Sequence, residues 1–324
     1  MQEHVIGKIR VLSCSAYDAQ TLLKIVALHR AAMKKADKSL EGKSIKNSSW
    51  QKEDTGEVRL LKITPHRSMS LVRLEDAEFF VKHFHPSEFY KHVTQRFRGE
   101  SNARVIGKTG LEFQQRGLHV PEVLGIVDEK GSSESFLIMR SIAAFPNLRQ
   151  LLESISDLPE EQERRARKAA VLRALAKEWH RLHRAGIDYP ESHARHIYVA
   201  GDLESFWRGE HGSIRFEWID YDGSQFLPTP LPATKVCRDF FKLSNSYRQK
   251  KRWRRSVSHS DMMRFLYFYL QFSEEPKPAD RRQLKSHARE IAMAALGWQP
   301  RIYTRMASPL RAKWRSVARA PKNK

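Results

Sequence analysis

Two cysteines, Cys14 and Cys237, are all that 324 residues carry, and they stand too far apart to form a metal-ligand pair. That excludes a thiolate zinc motif and a disulfide framework, and it fits a reducing compartment such as the cytosol. Long apolar runs are missing as well. None approaches the roughly 20 residues needed to span a bilayer, so any membrane contact is expected to be peripheral. Met1 to Val11 alternates apolar and polar residues and has no apolar core of signal-peptide length. Acidic residues are the third shortage: 37 Asp and Glu face 58 Lys and Arg, giving a formal net charge of +21 and a pI near 10.1. Solubility alone needs far less charge, of either sign. The excess favours anionic partners: nucleic acid, an acidic membrane face or a phosphorylated substrate.

What is present suffices for a folded enzyme-sized chain. The 40% apolar fraction supports a real core, and the length fits two domains or one large two-lobed one. Val5 to Leu12 reads as a short strand. Ala19 to Ala36 reads as an amphipathic helix with Leu22, Leu23, Ile25, Val26, Leu28 and Ala32 on one broad face. Its basic polar face suits either an anionic membrane or, as the simpler expectation, packing on its own domain. Lys38 to Gly56 is polar and predicts a loop. From Glu57 the pattern turns to β-type runs, Val58–Ile63, Ser70–Leu74 and Phe79–Phe84, then predicts helix over Ser87–Gly117 with interruptions near Gly99, Gly107 and Gly110. His119–Val127 and Ser135–Ile142 are further strands. Pro159 to Ala185 predicts the clearest helix, with Val171, Leu172, Leu175, Trp179 and Leu182 in a stripe of period 3.6 and Gly186 closing it. A basic run, Arg248 to Arg255, precedes a helix capped by Ser256–Asp261, and Arg281–Leu296 predicts a last helix. The tail Arg301–Lys324 carries eight Lys/Arg and no acid, a composition suited to polyanions.

Chemistry concentrates between Lys177 and Phe226. One segment reads Leu182-His183-Arg184-Ala185-Gly186-Ile187-Asp188-Tyr189-Pro190-Glu191-Ser192-His193-Ala194-Arg195-His196-Ile197. The other reads Trp218-Ile219-Asp220-Tyr221-Asp222-Gly223. Two strand ends that each present a carboxylate can hold a divalent metal and a proton acceptor near one another. Phosphoryl transfer needs that arrangement, since it depends on positioning and on neutralising charge. Asp188 is an alternative carboxylate in the loop. Asp222-Gly223 is a rival register for the metal acid, and it also fits a plain hairpin turn. His180 and His183 are read as packed, hydrogen-bonded histidines beside the loop.

These segments resemble the catalytic and metal loops of the lipopolysaccharide core kinase family (Kdo/WaaP type), a branch of the protein-kinase-like superfamily. Leu182-His183, Gly186-Ile187, Glu191, His196 and Ile219-Asp220 fall at the family's spacing. The resemblance spans about residues 70 to 270. It implies an α+β, protein-kinase-like two-lobed fold: an N-terminal extension over 1–66, a β-rich small lobe over 67–140, a helical lobe over 141–300 and a basic tail over 301–324. It also implies an ATP- and Mg²⁺-dependent phosphotransferase that acts on a sugar hydroxyl of the lipopolysaccharide inner core, cytoplasmic or peripheral on the anionic inner-membrane surface.

By the same resemblance Glu191 and His196 are catalytic, Asp220 or Asp222 binds metal, Lys82 contacts the nucleotide phosphates and Met139 marks the adenine-binding hinge. No Gly-x-Gly-x-x-Gly covers Lys82. Two departures stand out. Glu191 replaces the family's catalytic-loop Asp, which displaces the carboxylate by about one methylene, and misplacements of roughly 1 Å can cost ~100-fold in rate. The helix Glu that would clamp Lys82 is missing: its position falls at Ile106, between Glu100 and Glu112. A catalytically degenerate kinase-like protein that binds nucleotide or core glycolipid is therefore the second reading. A nucleic-acid-binding protein is the third and rests on charge alone, with no recognition helix, zinc motif or RNA-binding aromatic signature.

Overall fold

The alternating runs of the first 140 residues pair into one antiparallel sheet of eight strands. They are β1 (Gln2–Ile6), β2 (Ile9–Ser13), β3 (Glu53–Asp54), β4 (Val58–Ile63), β5 (Arg67–Leu74), β6 (Ala77–Phe84), β7 (Val123–Glu129) and β8 (Ser135–Arg140), in the order β1-β2-β7-β8-β6-β5-β4-β3. The computed structural model describes residues 1–39, 53–54, 56–64, 66–85, 100–129, 134–248, 256–273, 286 and 288–293. The chain divides into two units, Met1–Gln115 with Val120–Ala144, and Arg116–His119 with Phe145–Lys324. The architecture is mixed α+β, with an antiparallel sheet in one unit and mainly helices in the other.

In the first unit the expected single strand over Val5–Leu12 is a hairpin. Gly7 adopts φ +61° at the first position of a two-residue turn, which lets Ile6 pair with Ile9; such turns take glycine there at no steric cost. Residues before 66, expected as an extension, supply β1–β4 to the same sheet. They also supply helix α1 (Ala19–Ser39), whose Leu22, Ile25, Val26, Ala32 and Met33 are buried in the unit's core. The helix docks where β7 has no side chain: a Cβ on Gly125 would lie 2.4 Å from Leu22 Cδ1. Its apolar face is thus used within its own unit. Helix α2 (Asn102–Gln115) runs without the interruption expected at Gly107. That glycine serves packing, since a Cβ there would stand 2.7 Å from Ile126 Cδ1.

The second unit is mainly helical. Its elements are α3 (Leu148–Ser156), α4 (Glu161–Arg184), β9 (Ile187–Asp188), β10 (Ile197–Gly201), α5 (Leu203–Trp207), β11 (Ile214–Trp218), β12 (Gln225–Phe226), α6 (Ala233–Arg248) and α7 (His259–Ser273). Asn147 and Gln150 form a reciprocal capping box at the start of α3. Ser258 and Asp261 do the same for α7: Ser258 N–H donates to Asp261 Oδ2 (2.9 Å) and Asp261 N–H to Ser258 Oγ (3.1 Å). The predicted stripe of α4 is buried, and Trp179 meets Trp218 of β11 edge to face at 5.0 Å. Side chains of this size contribute roughly 1.5–3 kcal/mol each on burial. Two antiparallel pairs, β10 with β11 and β9 with β12, carry the loops of interest. The basic residues 249–255, the tail 301–324 and most of the polar stretch 38–56 lie outside the described residues. So does much of the last predicted helix, of which 288–293 are helical.

Candidate active site

Helix α4 ends at Gly186, which takes φ +70°. A Cβ there would lie 2.5 Å from the Leu227 carbonyl oxygen and 2.6 Å from that of Thr229. Only glycine fits, and the chain turns at once into β9, with Leu227 N–H donating to the Gly186 carbonyl (2.8 Å).

The loop that follows is folded by short local bonds. Ser192 Oγ donates to the Tyr189 carbonyl (2.8 Å), and His193 N–H to the Glu191 carbonyl (2.6 Å). His193 Nδ1 accepts from Arg195 N–H (3.2 Å), capping a 3₁₀ turn over Ala194–His196. Burial, then the neighbouring Arg195 and His196, lowers the His193 imidazole to about 4. It therefore stays neutral and able to accept. The turn brings His196 back beside Glu191, with Nδ1 3.8 Å from Glu191 Oε2.

The second segment arrives on β11. Ile219 N–H donates to the His196 carbonyl (2.9 Å), and the Ile219 carbonyl accepts from the Tyr189 hydroxyl (2.5 Å). Tyr189 is fully buried. Burial, and then the carboxylates of Asp220, Glu191 and Asp222, pushes its phenol well above the ordinary value, so it remains a donor. Ile219 is thus bonded at both its N–H and its carbonyl, and the next residue, Asp220, stands at φ +55°. Non-glycine residues in that region cost of order 1–3 kcal/mol, and they persist where the surroundings over-determine them. Asp222 and Gly223 form the centre of a turn closed by Ser224 N–H on the Tyr221 carbonyl (3.1 Å), with Gly223 at φ +85°.

One carboxylate oxygen of Glu191, one ring nitrogen of His196 and one carboxylate oxygen of Asp220 lie within 4.8 Å of one another. This is the one group of three such side chains found among the described residues, and Asp222 is not in it. Two oxygen donors and an imidazole nitrogen form a set that fits a divalent cation. Asp188 points elsewhere, with its carboxylate bound by Lys235 and Arg238. Burial would raise its pKa, but those hydrogen bonds and charges outweigh it and hold the group below the usual range. His183 is buried and bonds the Tyr269 hydroxyl through Nδ1 (2.9 Å). His180 stacks edge to face on Tyr269 and is lowered to about 4, chiefly by burial.

Lys82 and Met139 lie in the first unit. Lys82 is 4% exposed on β6, between Met69 of β5 and Leu137 of β8, with Nζ 5.6 Å from the Phe84 ring centroid. Met139 is buried at the end of β8, paired with Phe80 and Val123. On α2 the position of the missing Glu is filled by buried Ile106, and Glu100 is engaged with Lys108. Tyr189 escaped the sequence reading, since nothing local marks a loop tyrosine as the tie between two segments.

The sequence model described as "Lipopolysaccharide kinase (Kdo/WaaP) family" matches residues 81–269, more than half of the chain. No curated protein matches. Among solved structures the chain is similar to one described as "WaaP in complex with acyl carrier protein", with a TM-score of 0.50 at 16% identity, covering 80% of this chain and 88% of that one. It also matches "ROP18 kinase domain in complex with AMP-PNP and sucrose", with a TM-score of 0.42 at 10% identity, covering 80% and 79%. At 16% identity the first likeness bears on the fold alone.

Proposed function

Because the chain belongs to the lipopolysaccharide kinase (Kdo/WaaP) family, we propose that it transfers a phosphoryl group from ATP to a sugar hydroxyl of the lipopolysaccharide inner core. The observation that carries this is the meeting of Glu191, His196 and Asp220 within 4.8 Å, on two loops bonded to each other through Ile219. Asp220 and His196 would hold Mg²⁺ or a similar divalent ion, whose chemistry there would be to neutralise phosphate charge. Glu191, with its side chain 49% exposed, is free to accept the proton of the attacking hydroxyl, a contribution typically worth ~10²–10⁴-fold. The Tyr189 hydroxyl bonds the carbonyl next to Asp220 and so would help orient the proposed metal-binding carboxylate before substrate arrives. Lys82 is the proposed phosphate contact, and the main chain after Met139 the proposed adenine contact. No helix among the described residues is long and apolar enough to cross a membrane. Peripheral attachment to the anionic inner-membrane surface is proposed from net charge, since roughly 1 kcal/mol per Lys or Arg is available near such lipid.

The degenerate reading keeps its basis in Glu191 and in Ile106 on α2. One experiment separates the two. Purified full-length protein is incubated with ATP, Mg²⁺ and dephosphorylated core glycolipid, and the glycolipid mass is read. Gain of a phosphate is expected; nucleotide binding without any gain would favour the degenerate reading.

A further inference from the structure

We infer that one face of helix α6 positions the catalytic loop: Lys235, Arg238 and Lys242 hold residues 188–190 and so set where the Glu191 carboxylate stands, an inference whose catalytic part rests on the phosphotransfer reading above. Positions three and four apart lie on one helix face, and 235, 238 and 242 have that spacing. Lys235 Nζ donates to Asp188 Oδ2 and Arg238 Nη2 to Asp188 Oδ1, so each oxygen of a side chain only 7% exposed has its own cation. Lys242 Nζ donates to the Pro190 carbonyl. That carbonyl belongs to the peptide whose N–H is Glu191's own. Pro190 adds a fixed φ between the two anchors.

The anchor itself is firmly seated. Arg238 also donates to Asp239 Oδ1 through Nη2 (2.7 Å) and Nε (3.0 Å), and Asp239 is completely buried. Asp239 Oδ2 lies 3.4 Å from His183 Nε2, in the last turn of α4, and His183 Nδ1 bonds Tyr269 of α7. The loop is thereby referred to three helices. Buried ion pairs add little net stability, because desolvation offsets attraction. What three cations beneath this loop do is fix geometry and keep Asp188 off the site. Glutamate makes that fixing matter more than aspartate would, because an extra rotatable bond widens the range its carboxylate can sweep. A displacement of roughly 1 Å is enough for a ~100-fold loss of rate.

Arg238→Met would leave two buried carboxylates short of a cation and would threaten the fold, so the test uses Lys242→Met, which keeps the apolar stem. The phosphotransfer kcat with core glycolipid is expected to fall ~10–100-fold while the KM for ATP stays within about twofold. Lys242→Arg is expected to recover most of the loss. Hydrogen exchange of full-length protein is expected to quicken in peptides covering 187–193 and to stay unchanged in α4 and α7. The double variant Asp188→Asn with Lys235→Met, which removes one ion pair together, is expected to quicken the same peptides. A kcat within about twofold of wild type, with unchanged exchange over 187–193 in both variants, would overturn the proposal. If the wild-type protein transfers no phosphate, the functional reading fails, and exchange alone decides: quickening upholds the clamp and no change removes it.

Discussion

Acidification below about pH 6 is expected to destabilise the first unit progressively, and His29 is the principal reason. This residue of α1 is wholly buried, with Nδ1 2.7 Å from Ser70 Oγ and Nε2 3.1 Å from Ser68 Oγ and 3.2 Å from His83 Nδ1. His83 Nε2 in turn bonds Glu134 (2.8 Å), which also takes Arg30 (2.6 Å), and His85 Nε2 reaches Ser68 Oγ (3.0 Å). Burial, then the nearby His83, His85 and Arg30, lowers His29 from 6.5 to about 3. Between those values the unfolded chain binds a proton that the folded chain does not. Stability therefore rises with pH by about 1.4 kcal/mol per unit, is fully present above about 6.5 and drains away as pH falls toward 3. Going from about pH 6.5 to about pH 4.5 removes roughly 2–3 kcal/mol through His29 alone.

Its neighbours act in the same direction. His83 is lowered chiefly by burial. Burial raises Glu134, but its bonds to His83 and Arg30 outweigh that and lower it, so its contribution too is lost as pH falls. Against a total of ~5–15 kcal/mol, the sum is large. The assay is hydrogen exchange of β5 and β6 peptides in urea across this pH range, for wild type and His29→Gln, which hydrogen-bonds but does not titrate. The variant is expected to lose ~1 kcal/mol per pH unit of slope. Equal slopes would refute the reasoning.

Gly125→Ala is expected to destabilise the first unit by ~1–3 kcal/mol, since its Cβ would stand 2.4 Å from the fully buried Leu22; an unchanged melting temperature would contradict the docking described for α1. Tyr189→Phe removes the bond to the Ile219 carbonyl. It is expected to cost ~0.5–1.5 kcal/mol in urea unfolding and to weaken Mn²⁺ affinity measured by electron paramagnetic resonance; unaltered affinity would show that Asp220 needs no such tie. Deleting residues 301–324, with eight Lys/Arg and no acid, is expected to reduce sedimentation with anionic vesicles and flatten its salt dependence. Equal sedimentation would remove the tail from the membrane account.

Local pattern carried much of the fold. The α4 stripe and the strand runs from Val58 to Phe84 are written in spacings of two, three and four residues, which one sequence displays directly, while the cap expected over Ser256–Asp261 proved to be the Ser258–Asp261 pair. The glycines show where such reading stops. Gly107 and Gly125 look like helix and strand breakers, yet each is a socket for a side chain 19 or more residues away in sequence, so only packing reveals its purpose. The candidate site divides the same way. Motif spacing was enough to single out Glu191, His196 and Asp220, which the fold brings within 4.8 Å of one another. The partners of Asp188 on α6, 47 and 50 residues distant, and the bond from Tyr189 to Ile219, 30 residues on, are set by tertiary approach alone. Of the two acids the sequence offered, Asp220 and not Asp222 lies beside Glu191 and His196, a proximity that sequence spacing does not display.

The most direct test compares wild type, Glu191→Gln, Glu191→Asp and Asp220→Asn for transfer of radiolabelled γ-phosphate from ATP to core glycolipid, with nucleotide affinity measured on the same preparations. The account predicts transfer by wild type and a ~10²–10⁴-fold loss in Glu191→Gln with ATP affinity nearly intact. Asp220→Asn is predicted to lose both transfer and Mg²⁺-dependent ATP affinity, and Glu191→Asp to change turnover without changing affinity. Transfer unaffected by Glu191→Gln, or nucleotide affinity indifferent to both Asp220→Asn and Mg²⁺, would contradict it.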